Sequence, residues 1–191
     1  MSRSCEAPDE IVASARLRLI ALPGPVIAEV IGNGYQLFVE HVGVPYPARW
    51  PAEDRHVLDR RSRQIAEGVD HRWLLRAMVT RAEPVMVGRI GFHGPPDEDG
   101  MVEIGYKVDA AHRRLGYGLE AATRLIEVAE RLVHVSAVRA SIAPGNKPSL
   151  RIAERLGFHR IGEQMDEVDG LELVFERRPE KWETPHVRGF R

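Results

Sequence analysis

The segment HRRLGYGLEA (112–121) sets Gly116 and Gly118 at the mouth of an amphipathic helix, with Arg113 and Arg114 just before it. A glycine at a helix start gives up roughly 1 kcal/mol of propensity relative to alanine, so two of them mark a place where backbone must come close to something. The flanking arginines make that something anionic. The spacing also fits the dinucleotide fingerprint, but there the glycines follow directly on a strand, and an acidic residue closes the next strand about 20 positions on. Here the preceding β-rich stretch ends near Val108, and the next one, SAVRASIA (136–143), holds no Asp or Glu. A phosphate-binding loop of the nucleoside-triphosphatase type fails as well, because no Gly-Lys-Ser/Thr follows. What remains is a fold that offers an unobstructed helix N-terminus, with its free N–H groups and positive dipole end, to a phosphate.

The pattern around this segment predicts the rest of the architecture. RLRLIAL (16–22) alternates as a first strand, and a Gly/Pro-punctuated region runs from there to about Pro47. AEDRHVLDRRSRQIAE (52–67) starts after Pro51 and stops at Gly68, which predicts a mostly polar, peripheral helix. RWLLRAMVT (72–80), PVMVGRIGF (84–92) and MVEIGYKV (101–108) are short, β-rich and separated by turn residues, giving three antiparallel strands. A helix follows from about Tyr117 to Leu132, then the strand 136–143. A second helix has Asn146 as N-cap, Pro148 in its first turn, and Gly157-Phe158 as its C-terminal cap. HRIGEQMDEV and LELVFERR flank Asp169-Gly170 as a hairpin. The expected organisation is a mobile N-terminus over 1–15, one α/β domain over 16–178, and a C-terminal tail over 179–191. Its fold class is a mixed, mainly antiparallel central sheet flanked by helices.

Composition narrows the function. A chain of 191 residues with 43% hydrophobic content fits one domain with a sizeable core. No apolar run approaches the ~18 residues of a membrane span, and MSRSCEAPDE is not a signal peptide, so a cytoplasmic protein is expected. Cys5 is the single cysteine, which excludes an internal disulfide framework and a cysteine-rich metal site. With 27 basic against 28 acidic side chains, nothing general draws the chain to nucleic acid or to an anionic membrane.

The order of strand 101–108, the loop DAAHRR, LGYG opening a helix, another strand, and NKPSLRIAERLGF on a second helix resembles the GNAT superfamily of N-acetyltransferases. The nearer likeness is to its ribosomal-protein-alanine acetyltransferase branch. Arg113-Arg114-Leu115-Gly116-Tyr117-Gly118 matches the acetyl-CoA signature, while EIGYKV before it and Asn146, Ser149 and ERLGF after it stand where that branch has them. The resemblance implies an acyl-CoA N-acyltransferase fold, acetyl-CoA as co-substrate with no metal, and direct attack by an amine on the thioester. It places the phosphates on the amides of 114–118, Val108 at main-chain contacts on a splayed strand, and Asn146 on the pantetheine arm.

For the chemistry, the resemblance points to Glu103, early on the splayed strand, as the base, with Glu167 and His93 as rivals. No tyrosine occupies the second helix, where many relatives keep their acid, and Ser149 takes that place. Acidic residues in PPDEDG (95–100) and MDEVDG (165–170) suggest a negative rim for a cationic amine, and Tyr35, Tyr46, Trp50 and nearby arginines a wall for the acceptor. A peptide N-terminus and a cationic small molecule are both open as acceptor, and a homodimer is left open. The other reading is a non-catalytic acyl-CoA sensor, supported by the missing tyrosine alone.

Overall fold

The computed structural model describes residues 6–166 and 170–179. Glu167 and the hairpin residue Asp169 lie outside them. Eight strands form one sheet in the order β1-β2-β3-β4-β5-β6-β8-β7. They are β1 (Ile11–Ala13), β2 (Leu17–Ala21), β3 (Leu75–Thr80), β4 (Met86–Phe92), β5 (Met101–Val108), β6 (Ala137–Ile142), β7 (His159–Asp166) and β8 (Gly170–Arg177). Neighbours run antiparallel except β5 and β6, which are parallel and joined by the crossover helix α5 (Tyr117–Ala129). A parallel pair needs such a crossover, and the helix it uses is the one the glycine motif opens.

Period-2 alternation splits the apolar residues between two cores, one on each face of the sheet. Leu17, Leu19, Met78, Ile90, Val102 and Ile104 pack with α5 and with the end of α6 (Lys147–Arg155). Ile20, Ala77, Val79 and Met86 pack on the other face. There they meet α1 (Gly24–Ile31), α2 (Gln36–Val42), α3 (Trp50–Glu53) and α4 (Arg55–Ala66). Gly91 on β4 shows how tight this is: a Cβ there would stand 1.7 Å from the Leu74 carbonyl oxygen. No helix among the described residues is long and apolar enough to cross a membrane.

Three expectations change. The sheet begins at Ile11, because β1 pairs with β2 and buries Val12, so residues 11–13 are a strand rather than part of a mobile arm. The buried Arg76 guanidinium fastens this strand by donating to the carbonyls of Asp9, Glu10, Leu19 and Arg72. Helix α4 is not peripheral: Leu58 and Arg61 are buried, and Asp54 at its N-terminus is 2% exposed. Tyr35, Tyr46 and Trp50 do not line the two clefts described below. Tyr46 stacks on Tyr35 at 4.2 Å, meets Phe38 and Trp50 edge-on, and donates to the Gly34 carbonyl, so these rings hold the α1–α4 layer together.

Candidate active site

Strands β5 and β6 pair only over Met101–Glu103 and Ala137–Arg139, and beyond Glu103 they part. Strand β4 still holds the far edge of β5 as far as Val108, and β8 holds β6 as far as Ile142. The gap is therefore framed by two paired strands, with unpaired β5 backbone facing it from Ile104 onward. On the α5/α6 face it opens into a cleft of about 360 Å³ that reaches Asn146, Ser149 and Ile152. On the α4 face it opens into a second cleft of about 340 Å³ that reaches Asp54, Arg60, Arg61 and His93. Gly105, Tyr106, Lys107, Ser141 and Glu172 line both.

The expected phosphate loop does not itself line the first cleft, but it leads into Gly118, which packs beside the cleft residues Tyr106 and Ile152. Arg114 and Gly116 both take left-handed backbone (φ 65° and 84°), and Gly116 is the N-cap of α5 with no side chain bonded to the cap. The first-turn N–H groups have no intrahelical acceptor and remain available. Leu115 is exposed at the loop's tip, and Arg113 spends its Nε on the Val108 carbonyl (3.0 Å), tying loop to strand. Gly118 is buried, and its absent Cβ would meet Val108 and Ile152 at 3.4 Å and Tyr106 at 3.6 Å. Its smallness thus serves the close approach of α5 to β5, whereas that of Gly116 serves the loop.

The sequence missed Arg16. Its Nε reaches Glu120 at 2.6 Å and its Nη1 the Leu115 carbonyl at 3.0 Å, while the guanidinium lies 4.8 Å above the Tyr117 ring. A Cβ on Gly116 would stand 3.2 Å from its Nη2. Burial pushes the Glu120 carboxyl up, but hydrogen bonds from the Arg16 amide, Ser14 and the Arg16 side chain outweigh this and hold it below the usual range. Arg16 stands 104 residues from Glu120, and no local pattern announces the pair. Arg16→Ala is expected to weaken acetyl-CoA binding about tenfold, read by calorimetry, since a loop no longer preorganised must be ordered on binding. An unchanged Kd would leave Arg16 as a surface strap only.

Around the gap, the side chains fall differently from their sequence order. Glu103 reaches neither cleft; its Oε1 lies 3.7 Å from His93 Nδ1. His93 lines the α4-side cleft, and its Nε2 is the atom nearest to where a Cβ on Gly105 would stand (2.8 Å), so Gly105 admits the ring. Burial pushes the imidazole pKa down; Glu103 opposes this, and Arg61, Arg60 and Arg89 add to it. Asn146 Oδ1 accepts from the Ser149 N–H at 3.2 Å, capping α6, and burial raises the pKa of the Tyr106 phenol, with Ser149 pulling the other way. Helix α6 lacks a tyrosine, but Tyr106 of β5 lines the same cleft as Ser149.

Of the acidic rim expected from the sequence, Glu167 and Asp169 lie outside the described residues, and Asp97 and Asp99 do not line either cleft. Asp97 Oδ1 accepts from the amides of Asp99 and Met101, organising its own turn, and Asp97 and Asp99 border a separate depression near Arg139 and Arg178. The α4-side cleft is instead walled by Arg60, Arg61, Arg89 and Lys107 around the buried Asp54. Asp54 bonds both Arg89 and Lys107, whose hydrogen bonds and charge outweigh the upward push of burial and hold its carboxyl below the usual value.

Comparison with known proteins agrees with this geometry. The Acetyltransferase (GNAT) domain family matches residues 35–159. An uncharacterised N-acetyltransferase of Bacillus subtilis (strain 168), YjdG, is 32% identical over 154 residues, covering 78% of this chain and 89% of its own. The ribosomal-protein-S5-alanine acetyltransferase of Vibrio fischeri superposes with a TM-score of 0.63 at 13% identity, over 92% of this chain and all of its own. Mycobacterium smegmatis RimJ, solved with a CoA disulfide, superposes with a TM-score of 0.58 at 14% identity, over 93% and 89% of the two chains. These structures share the fold. With the family matched over more than half its length and a relative above 30% identity along most of it, the chain belongs to the GNAT acetyltransferases and is an acetyl-CoA-dependent N-acetyltransferase.

Proposed function

We propose that the chain acetylates a primary amine, on a peptide N-terminus or a small molecule, by direct attack within a ternary complex, acetyl-CoA entering from the α5/α6 face and the amine from the α4 face. The observation that carries this reading is the pair of clefts sharing Gly105, Tyr106 and Lys107 at the strand gap. Acetyl-CoA supplies the activated acyl carbon and a leaving thiolate. The loop 114–118 and the uncapped N-terminus of α5 receive its phosphates, and Asn146 borders the arm that leads to the gap. The residues fit such a ligand: the cleft runs from α6 to the unpaired β5 edge, whose free amides can pair with an extended chain.

At the gap, the amine nitrogen bonds to the acyl carbon, the carbon–sulfur bond breaks, and one proton leaves the nitrogen. His93 Nε2 takes that proton. A depressed imidazole pKa keeps the ring neutral near pH 7, and Glu103 on Nδ1 orients it and steadies the imidazolium once formed. His93 thus takes the role the sequence favoured for Glu103, and Glu103 becomes a positioning residue. Ser149, with Tyr106 lining the same cleft, returns a proton to the departing thiolate. A tyrosine lining the same cleft as Ser149 supports chemistry over the reading of a sensor without it.

Release of free thiol from acetyl-CoA across an amine library tests the reading; no release with any amine would overturn it. Ser149→Ala is expected to lower kcat about fivefold to tenfold with little change in acetyl-CoA Kd, because a thiolate with a pKa near ~8.5 is already a fair leaving group. Full turnover in that variant would hand the proton to water.

A further inference from the structure

The α4-side cleft carries more positive charge than its own carboxylates neutralise. Arg61 is 6% exposed, yet among the described residues it donates only to neutral acceptors, the Gln64 side chain (2.7 Å) and the His93 carbonyl (3.1 Å). Among the described residues no carboxylate lies within ion-pair distance of Arg61 or of its exposed neighbour Arg60. The acids nearby are engaged elsewhere: Asp54 with Arg89 and Lys107, Glu53 with Lys107 and Arg49, Glu103 with His93, and Glu172 with Gln164. The Arg61 pKa is pushed down to about 10, first by burial and then by the charges of Arg60 and Arg89, with Glu103 pulling the other way. A buried cation crowded by like charges and bonded only to neutral groups is a receptor for an anion.

Resting on the acetyl-transfer reading above, we infer that the acceptor bears an anionic group, a carboxylate or a phosphate, besides its amine, and that Arg60 and Arg61 receive it. The same field helps the chemistry, because nearby cations disfavour an ammonium and so raise the fraction of free, nucleophilic amine that reaches His93. A second positive charge in place of the anion would be repelled for the same reason, which turns specificity away from polyamine-like acceptors.

The test loads the full chain with saturating CoA and titrates it by calorimetry with four short amines: 2-aminoethyl phosphate, 3-aminopropanoate, ethanolamine and 1,3-diaminopropane. Thiol release from acetyl-CoA is measured with the same four. The two anionic amines are expected to bind at least tenfold more tightly than ethanolamine, with the diamine weakest, and the stronger of the two tells phosphate from carboxylate. Arg60→Ala and Arg61→Gln should bring the anionic-to-neutral ratio close to one, with CoA affinity as the check on folding. Should Arg61→Gln fail to fold, because Arg61 also holds the His93 carbonyl, the exposed Arg60 still decides. CoA binding and thiol release with ethanolamine or the diamine, but no preference for the anionic amines, would overturn this inference alone. Absence of CoA binding would overturn the acetyl-transfer reading with it.

Discussion

Replacing His93 by glutamine is expected to lower kcat/KM by about 10²–10⁴, the usual contribution of a positioned general base, with acetyl-CoA affinity retained. The pH profile separates His93 from its partner. In the wild type the acidic limb should lie below the ordinary histidine value of ~6.5, because burial disfavours the imidazolium. In His93→Gln the limb should move up toward the pKa of the amine, since only free amine then reacts. In Glu103→Gln it should move further down, because the carboxylate that raises the His93 pKa is gone, and turnover should fall as the ring loses its orientation. An acidic limb that rises in Glu103→Gln would return the role of base to the glutamate.

The largest effect on stability is expected from Asp54→Ala. The carboxylate is buried and holds Arg89 by two hydrogen bonds and Lys107 by a third, joining α4 to β4 and β5 beneath the α4-side cleft. Removing it leaves two partly buried cations side by side, and the loss of one member of such a group costs about 3–5 kcal/mol. Urea denaturation should show this as a lower midpoint with the m-value preserved. The sign with pH follows from the depressed carboxyl: its contribution is complete above the unfolded value of about 3.9 and is lost as pH falls through the lower folded value. Asp54→Asn should therefore flatten the acid side of the stability profile. A variant as stable as the wild type, with the same acid slope, would show that Arg89 and Lys107 find other partners.

What the sequence determined by itself was whatever neighbouring residues enforce on one another. Alternation along 101–108 placed Val102, Ile104 and Tyr106 on one face, and the structure packs that face on α5. The glycine spacing at 116 and 118 opened a helix without a side-chain cap, and Asn146 three residues before Ser149 capped the next one. These are local consequences of helix and strand geometry, so a linear pattern carries them. Segments 52–67 and 95–100 misled because polarity looks the same on a solvated face as around a buried ion pair: Asp54 and Arg61 lie inside, while Asp97 merely closes a turn. Meetings across the fold were the business of tertiary structure alone. Arg16 finds Glu120, Ser149 comes to share a cleft with Tyr106, and His93 stands between Glu103 and the cleft because of strand register and the parting of β5 from β6. Register and splay are fixed by pairings between segments far apart in the chain, and each such contact depends on all of them at once, so no short stretch of sequence holds the information.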